Sequence, residues 1–260
     1  MKRRTIWLIV LLLVGWLLTQ AVALPSRAAT ASEIQERGRL IVAVKDNSPP
    51  LGFLQDGELA GLEIDLARQL AIDLLGDEAE VTFVPVHNDR RLSVLLAGEV
   101  DLVIARMTAT PARARLVDFS SPYYFDGTAF VTKDPAIDRL PNLLRQPIAV
   151  LNGSSTIATV RSLLPSALLV GANSYQDALT LLETNRAIAF AADASILTGW
   201  VQELPQYRRI EQLISAEALS VAMPKGNRYS SLRSRVNASI DRLRETGWLA
   251  DRLRIWGLPE

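Results

Sequence analysis

The order of apolar runs along the chain constrains its fold more than any other feature of the sequence. Runs rich in Val, Ile and Leu stand at residues 40–44, 81–86 and 101–105, and segments with helical periodicity stand between them, at 61–75 and 91–97. Short strands that alternate with helices in this way are typical of a parallel sheet covered by helices on both faces. The first part of the chain therefore predicts an α/β unit.

The same alternation starts again further along the chain. Its elements, strand first and helix second, are predicted at 147–151, 155–164, 168–170, 175–183, 187–192 and from there to about residue 204. The sequence therefore predicts two similar α/β units side by side.

Two extended stretches are predicted to connect these units. One is 123–133, which contains Gly127, and the other is 218–223. A long amphipathic helical region follows at 230–256, with a break at Gly247. Two crossovers would let this tail rejoin the first unit.

Composition excludes several classes of function. Lys plus Arg and Asp plus Glu both number 28, so the formal net charge is zero, whereas a protein that neutralises nucleic-acid phosphates needs an excess of cations. The chain has no cysteine and one histidine. This excludes disulfides, thiol catalysis, lipid attachment through an N-terminal cysteine and metal sites with two or three histidines. Neither a nucleic-acid partner nor a cofactor is predicted.

The first 23 residues have the pattern of a secretory signal peptide. Three cations at 2–4 precede an apolar run at 6–18, and the small-x-small sequence at 21–23 is one that a signal peptidase accepts. The alternative is an uncleaved anchor helix, but the apolar run is short for a bilayer span of about 20 residues. We therefore expect a signal peptide at 1–23 and a periplasmic protein that is not a lipoprotein.

Polar residues follow the predicted strands, which is where open α/β sheets bind ligands. The sharpest group stands after the third strand and contains Thr108, Thr110, Pro111 and Arg113. Thr110 fits a helix N-cap and Pro111 the first helical position, so Arg113 would lie in the first turn. A planar guanidinium matches a carboxylate with two parallel hydrogen bonds. Arg113 is therefore either a carboxylate clamp or a solvated surface arginine, and its spacing alone favours neither.

The second unit contributes a helix-opening loop and a carboxylate. The loop at 152–155 includes Ser154 and Ser155 and could present backbone N–H groups to an anion, although an ordinary N-cap turn explains it too. Asp193 ends an apolar strand, where it could bind an ammonium group or cap the next helix, and capping is the commoner role. Cations in one unit and a carboxylate in the other together predict a receptor for a zwitterion.

Arg106, Arg91 and Lys45 add positive charge beyond what one carboxylate requires. Buried cations without partners are strongly destabilising. If all three line the same cleft, a second carboxylate on the ligand would pair with them. The alternative is that two of the three point into solvent.

Six motifs stand in a fixed order along the chain. They are Val-Ala-Val-Lys-Asp at 42–46, Gly-Leu-Glu-Ile-Asp-Leu at 61–66, Leu-Leu-Ala-Gly-Glu-Val-Asp-Leu at 95–102, Thr-Ala-Thr-Pro-Ala-Arg at 108–113, Asp-Phe-Ser-Ser-Pro-Tyr-Tyr at 118–124 and Met-Pro-Lys-Gly at 223–226. In this order they resemble the periplasmic polar-amino-acid-binding proteins of ABC importers, solute-binding protein family 3. The resemblance covers residues 38–257 and is closest to the members that bind glutamate, aspartate or glutamine.

The resemblance implies a role for several of the strand-end residues. Arg113 would bind the α-carboxylate of the ligand, with help from Thr108 and the backbone of Ser155. Asp193 would bind the α-ammonium group. Arg91 corresponds to an arginine that meets the side-chain carboxylate in members specific for acidic amino acids.

Two departures from the family pattern bear on the ligand. Arg106 stands where many members have Gly, Ser or Thr, and Ser48 and Leu51 stand where many members have an aromatic wall. Lys45 belongs to a variant seen among acid-binding relatives. A cationic site disfavours Lys, Arg and His because like charges repel. We therefore expect glutamate or aspartate as the ligand, and glutamine next.

The resemblance also implies an architecture. It is a two-lobed periplasmic-binding-protein fold in the α/β class, each lobe a mostly parallel sheet flanked by helices. The first lobe is expected at 32–122 plus 222–260, the second at 128–216, and the two hinge crossovers at about 123–127 and 217–221.

The implied function is binding without catalysis. The lobes would close on an amino acid by hinge rotation and deliver it to the permease subunits of an ABC importer in the inner membrane. A monomer is expected. The alternative is a periplasmic cyclohexadienyl (prephenate or arogenate) dehydratase on the same fold, which would need a general acid in the cleft.

Overall fold

The structure is a computed structural model that describes residues 28–77 and 79–259. The predicted signal peptide at 1–23 lies outside these residues. In the part of the chain described, no helix is long and apolar enough to cross a membrane. This part folds into two α/β lobes, each built on a five-stranded sheet.

The first lobe begins the described chain. Its elements are α1 (Ala31–Arg37), β1 (Arg39–Val44), β2 (Asn47–Ser48), β3 (Gly52–Gln55), β4 (Glu58–Ala60), α2 (Leu62–Leu75), β5 (Glu80–Pro85), α3 (Arg91–Leu96), β6 (Leu102–Ile104), α4 (Pro111–Ala114) and β7 (Asp118–Phe119).

The crossovers and the second lobe follow. The elements are β8 (Tyr124–Asp126), β9 (Thr128–Thr132), a 3₁₀ turn (Leu140–Leu143), β10 (Pro147–Leu151), α5 (Thr156–Leu163), β11 (Leu168–Ala172), α6 (Tyr175–Glu183), β12 (Ala189–Asp193), α7 (Ala194–Glu203), β13 (Arg208–Ile210) and β14 (Glu217–Leu219). The tail contains β15 (Ala222–Met223), a 3₁₀ turn (Asn227–Tyr229), α8 (Ser230–Glu245) and α9 (Trp248–Ile255).

Each lobe has a parallel centre to which antiparallel strands are added. The first sheet has the order β5-β1-β6-β15-β7, and the second has the order β11-β10-β12-β9-β13. Strands β5, β1 and β6 are mutually parallel, as are β11, β10 and β12, whereas β15 and β9 join antiparallel. The predicted two-lobed α/β fold is confirmed. Its sheets are mixed because β9 and β15, the strands that follow the two crossovers, join antiparallel.

The central strand of each sheet packs against helices on both faces. In the first sheet, Val42 lies in the core formed with α2 and α8, while the neighbouring Ala43 lies in the core formed with α3. In the second sheet, Phe190 packs with α6 and α7, and Ala191 packs with α5. Since successive residues of a strand point to opposite faces, these apolar runs could be buried only in a three-layer lobe.

The tail packs on the first lobe. Strand β15 inserts between β6 and β7, and Val236 and Ile240 of α8 are fully buried in the core of that lobe. The helical region breaks at Gly247, which has a φ of 79°. The predicted lobe limits stay a prediction, and every strand of the two five-stranded sheets lies within them.

The two crossovers pair with each other. Strand β8 runs antiparallel to β14, with Asp126 opposite Glu217 and Tyr124 opposite Leu219. Directly after β8, Gly127 approaches the second crossover so closely that an added Cβ would lie 2.1 Å from the carbonyl oxygen of Ser215. Only glycine fits at this point between the lobes.

Replacing Gly127 with alanine is expected to destabilise the protein by roughly 1–3 kcal/mol, the usual cost of inserting a methyl group into a packed site. Urea unfolding followed by circular dichroism would measure the change. The matched control is Phe125→Ala in the same crossover, where the side chain is 61% exposed and a change of about 0.5 kcal/mol or less is expected. Equal stability of Gly127→Ala and the wild type would contradict this close approach.

Candidate functional site

A cavity of about 200 Å³ opens between the lobes beside the crossovers, and we call it the hinge cavity. It is lined by Asn88, Arg91, Arg106, Thr108, Arg113, Asp126, Ser155, Asp193, Glu217 and Leu219. Six of the eight residues predicted for the site are therefore together.

A second cavity of about 200 Å³ adjoins the first, and we call it the side cavity. It shares four lining residues with the hinge cavity, namely Asn88, Arg106, Ser155 and Asp193, and adds Leu151, Ser154, Thr156, Tyr175, Ala191 and Ala192. Ser154 is the seventh predicted residue. The two cavities together offer a place for a small ligand with two ends.

The short helix α4 positions Arg113 as the sequence predicts. The Thr110 side chain accepts a hydrogen bond from the Arg113 backbone N–H at 3.3 Å, and Pro111 begins the helix. The Nη1 atom of Arg113 donates to the carbonyl oxygen of Thr108 at 2.9 Å. This bond fixes the guanidinium at the wall of the hinge cavity and leaves the rest of its fork available to an anion.

Asp193 pairs with a cation across the cleft. It occupies the N-cap position of α7, but its side chain makes no capping hydrogen bond. Its carboxylate instead forms an ion pair with the guanidinium of Arg106, which comes from the other lobe. The capping alternative therefore does not describe this residue.

The backbone of Arg106 is held from both sides. Its N–H donates to Oε1 of Glu63 at 2.6 Å, and its carbonyl oxygen accepts from Nη1 of Arg91 at 2.6 Å. Its φ is 50°, in the left-handed region that non-glycine residues rarely adopt. These contacts direct the Arg106 side chain into the cavity, where it is 13% exposed.

Arg91 uses most of its donors on backbone carbonyls. Its Nε donates to Asn88 at 3.1 Å, and its Nη1 donates to Ala105 at 2.8 Å as well as to Arg106. Burial and the nearby guanidinium groups of Arg113 and Arg106 lower its pKa to about 10, so it stays charged at neutral pH. Arg91 lines the hinge cavity, but it chiefly braces the loop that carries Arg106.

Lys45 does not line either cavity. Its side chain is 3% exposed, and its Nζ donates to the carbonyl oxygen of Val86 at 2.8 Å. Burial and the charge of Arg91 lower its pKa. Of the eight predicted residues, it is the one that the structure does not bring to the cavities.

Three carboxylates that the sequence reasoning missed surround the arginines. Asp126 and Glu217 line the hinge cavity from the two crossovers, and Glu63 lies beneath it, completely buried. A signal existed for Asp126, which is the only charged residue in the apolar stretch 123–132. Glu63 stands inside a family motif, but nothing local indicates that its partner is the backbone of Arg106.

These carboxyl groups have raised pKa values. Asp126 is raised mainly by burial, although it accepts hydrogen bonds from Ser195 N–H at 3.0 Å, Ser195 Oγ at 2.5 Å and Gly127 N–H at 2.9 Å. The pKa of Glu217 is raised by burial and by the negative charges of Asp193 and Asp126. Two acids at the hinge therefore bind protons more readily than free carboxyl groups.

Charges of the two signs balance in the hinge cavity. Its lining includes three arginines, Arg91, Arg106 and Arg113, and three acids, Asp126, Asp193 and Glu217. The excess of cations expected from the strand ends is therefore offset by the acids of the crossovers. Such a cavity is suited to a ligand whose own charges also sum to about zero.

The fold and the cavity together define a class of protein, that of two-lobed receptors which hold a small molecule between their lobes. The chain belongs to the bacterial extracellular solute-binding proteins, family 3, whose family model matches residues 40–259. The predicted family is thus confirmed. The family model and the named relatives describe solute-binding proteins, which confirms the expectation of a binding protein.

Individual relatives are similar over most of their length. The chain is 29% identical over 235 residues to the ABC transporter glutamine-binding protein GlnH of Bacillus subtilis (strain 168), covering 89% of this chain and 85% of that protein. It is 30% identical over 200 residues to a glutamine-binding protein of Geobacillus stearothermophilus, covering 75% and 76%. A solved structure of an ancestral cationic amino acid solute-binding protein matches with a TM-score of 0.76 and 27% identity, over 88% of this chain and 99% of that one.

The buried carboxyl of Glu63 is expected to make stability depend on pH. Burial raises its pKa above the usual 4.5, so in the pH range between the unfolded-state and folded-state pKa values the folded state binds more protons than the unfolded state. The stabilising contribution of this group is then fully present below 4.5 and is lost as the pH rises through the folded-state pKa. Glu63→Gln removes the titration and is expected to flatten the decline.

Urea unfolding of both proteins across the range from pH 4 to about 8 measures this effect. The other acids with raised pKa values titrate in both proteins, so the difference between the two curves isolates Glu63. Parallel curves would contradict the raised pKa.

Proposed function

We propose that the chain binds a polar amino acid between its lobes. The single observation that carries the proposal is that Arg113 and Asp193 line one cavity from opposite lobes. Arg113 holds the α-carboxylate with two parallel hydrogen bonds, helped by the hydroxyl of Thr108 and the backbone of Ser155 at the start of α5. Asp193 attracts the α-ammonium group.

The balance of charge favours a ligand with a neutral side chain. A zwitterion such as glutamine leaves the three arginines and three acids of the hinge cavity balanced. The two curated relatives described above are named as glutamine-binding proteins, which supports the same choice. We therefore place glutamine first among the candidate ligands.

Glutamate is the second candidate ligand, together with aspartate, which also has a side-chain carboxylate. The Nε of Arg106 and the Oγ of Ser154 are buried and have no hydrogen-bond partner, and both residues line the side cavity. An oxygen on the ligand side chain could accept from both. A side-chain carboxylate and a carboxamide both offer one, so these donors select for an oxygen rather than for a charge.

Closure of the lobes supplies the affinity. Each charge-assisted hydrogen bond contributes roughly 1.5–3 kcal/mol, and ordering costs offset part of the sum. A net value of about −8 kcal/mol corresponds to a micromolar dissociation constant. Asp126 and Glu217, opposite each other on the paired crossovers, would sense the ligand charge at the point where the lobes rotate.

Membership of the family also supports the cellular role. We propose a monomeric periplasmic protein, exported by the predicted signal peptide, that presents its closed form to the permease subunits of an ABC importer. The dehydratase alternative has less support, because the two curated relatives named above are glutamine-binding proteins.

The test of the carboxylate clamp is a pair of variants at arginines that stand two residues apart. Arg113→Ala is expected to weaken binding of L-glutamine or L-glutamate by at least about 100-fold, the loss of two charge-assisted hydrogen bonds. Arg115→Ala removes an exposed arginine that lines neither cavity and should bind like the wild type.

Calorimetric titration of the purified protein against the twenty amino acids, followed by titration of both variants with the best ligand, provides the measurement. Equal affinities in the two variants would overturn the assignment of Arg113. Failure of the wild type to bind any amino acid would overturn the proposed function.

A further inference from the structure

The carboxylate of Asp193 already has a cationic partner inside the protein. Arg106 reaches across the cleft and pairs with it, and the two side chains are 13% and 31% exposed. In a receptor whose aspartate faces an empty cavity, the ligand must supply this cation. Here the cation is part of the chain.

Arg106 is fixed in this position by its surroundings. The Glu63 carboxylate holds its N–H, and the Arg91 guanidinium holds its carbonyl oxygen, both at 2.6 Å. Its backbone is in the left-handed region, with a φ of 50°. Moving the guanidinium out of the cavity would separate it from Asp193 and leave two charges in a poorly solvated place, which is strongly destabilising.

We propose that Arg106 takes the place of a ligand α-ammonium group at Asp193, so that this site also binds small carboxylates that lack an α-amine. The inference rests on the function proposed above, because it uses the same cavity and the same clamp at Arg113. It extends the ligand class from amino acids to their amine-free analogues.

Closure of the lobes buries Asp193 further, so its partner determines the energetic cost of closing. When the lobes of an ordinary amino-acid receptor close on an amine-free ligand, they bury an aspartate without a partner, and this penalty makes the receptor demand the amine. With Arg106 in place, Asp193 stays paired whether or not the ligand carries an ammonium group. The amine then contributes little to affinity.

The hydrogen-bond donors of the site that have no partner are also compatible with an amine-free ligand. The Nε of Arg106 and the Oγ of Ser154 are buried without a partner. An ammonium group can only donate hydrogen bonds, so it cannot satisfy the Nε of Arg106, whereas an oxygen atom can. An amine-free analogue keeps the oxygen atoms of the matching amino acid, so it satisfies these donors equally well without the α-amine.

The hinge cavity can also balance the charge of such a ligand. An amine-free carboxylate brings one more negative charge than the matching amino acid. Glu217 lines the same cavity, and its pKa is raised by burial and by Asp193 and Asp126. Uptake of a proton by Glu217 would offset the added charge.

The test compares matched ligand pairs by calorimetry on the purified protein. L-Glutamine is paired with glutarate monoamide, and L-glutamate is paired with glutarate, since the members of each pair differ only in the α-amine. In the wild type, the dissociation constants within at least one pair are expected to agree within about tenfold.

The same titrations on Arg106→Gly measure the role of the guanidinium. Glycine adopts the left-handed backbone at this position without strain, so this variant should fold, and a thermal unfolding transition verifies it. Arg106→Gln is the second variant, because it keeps most of the side-chain stem and removes the charge. In both variants the preference for the amine is expected to rise to about 100-fold or more, while Arg115→Ala keeps the wild-type preference.

Each outcome decides between the two proposals. A wild type that prefers the amine by more than about tenfold in both pairs, or Arg106 variants with an unchanged preference, would overturn the inference and leave the amino-acid function standing. A wild type that binds the amine-free ligands but none of the twenty amino acids would support the inference and overturn the amino-acid function. Binding of an amino acid but of neither amine-free ligand would overturn the inference alone. Binding of neither amine-free ligand and of none of the twenty amino acids would overturn both.

Discussion

The ion pair between Arg106 and Asp193 joins the two lobes, and it depends on how one peptide unit is held. The N–H of Arg106 bonds to Glu63 and its carbonyl oxygen bonds to Arg91, so the side chain leaves the backbone toward the cleft. Glu63 in turn accepts a hydrogen bond from the Tyr123 hydroxyl at 2.6 Å. Since Tyr123 adjoins the first crossover, the site and the hinge share one buried hydrogen-bond network.

The two crossovers connect the lobes and also contribute two acidic side chains to the cavity. Asp126 and Glu217 face each other in the antiparallel ladder that links the lobes, and both have raised pKa values. Two carboxylates this close repel each other unless a cation or a proton lies between them. Arg106 supplies part of that compensation. A charged group bound in the cavity would therefore shift the ionisation of these two acids.

Local sequence patterns predict correctly those strands and helices that have a continuous apolar run or a single apolar face. The strand Pro147–Leu151 and the helix Tyr175–Glu183 have the predicted limits, because an apolar run or an apolar stripe is enough to define each of them. The sequence analysis does not predict the small antiparallel sheet of β2, β3 and β4, although Asp56-Gly57 is a turn signal between β3 and β4. Its strands are short and half exposed, so they lack a clear apolar pattern.

The sequence predicts a residue of the candidate site only where its position at the end of a strand places it beside the cleft. Arg113 and Asp193 come together because strand ends meet at one edge of an α/β sheet. The pairing of Arg106 with Asp193 spans 87 residues and requires a left-handed backbone at Arg106, which Glu63 and Arg91 stabilise from elsewhere in the lobe. No local pattern encodes such an arrangement. The acids of the crossovers stand in connecting segments, outside the ends of the parallel strands, where the fold predicts ligand-binding residues.

Counting cations from the sequence overestimates the negative charge that the ligand must carry. Arg91 places three of its hydrogen bonds on backbone carbonyls, Arg106 is paired with Asp193, and Lys45 bonds to a carbonyl outside both cavities. Among the predicted cations, only Arg113 keeps most of its guanidinium N–H donors available to an anionic group of the ligand. One guanidinium with available donors is enough to bind one carboxylate of the ligand. The charge of a ligand is thus set by the donors that the protein leaves unused, and a second carboxylate would be bound by the remaining donors of Arg106 and not by an excess of positive charge.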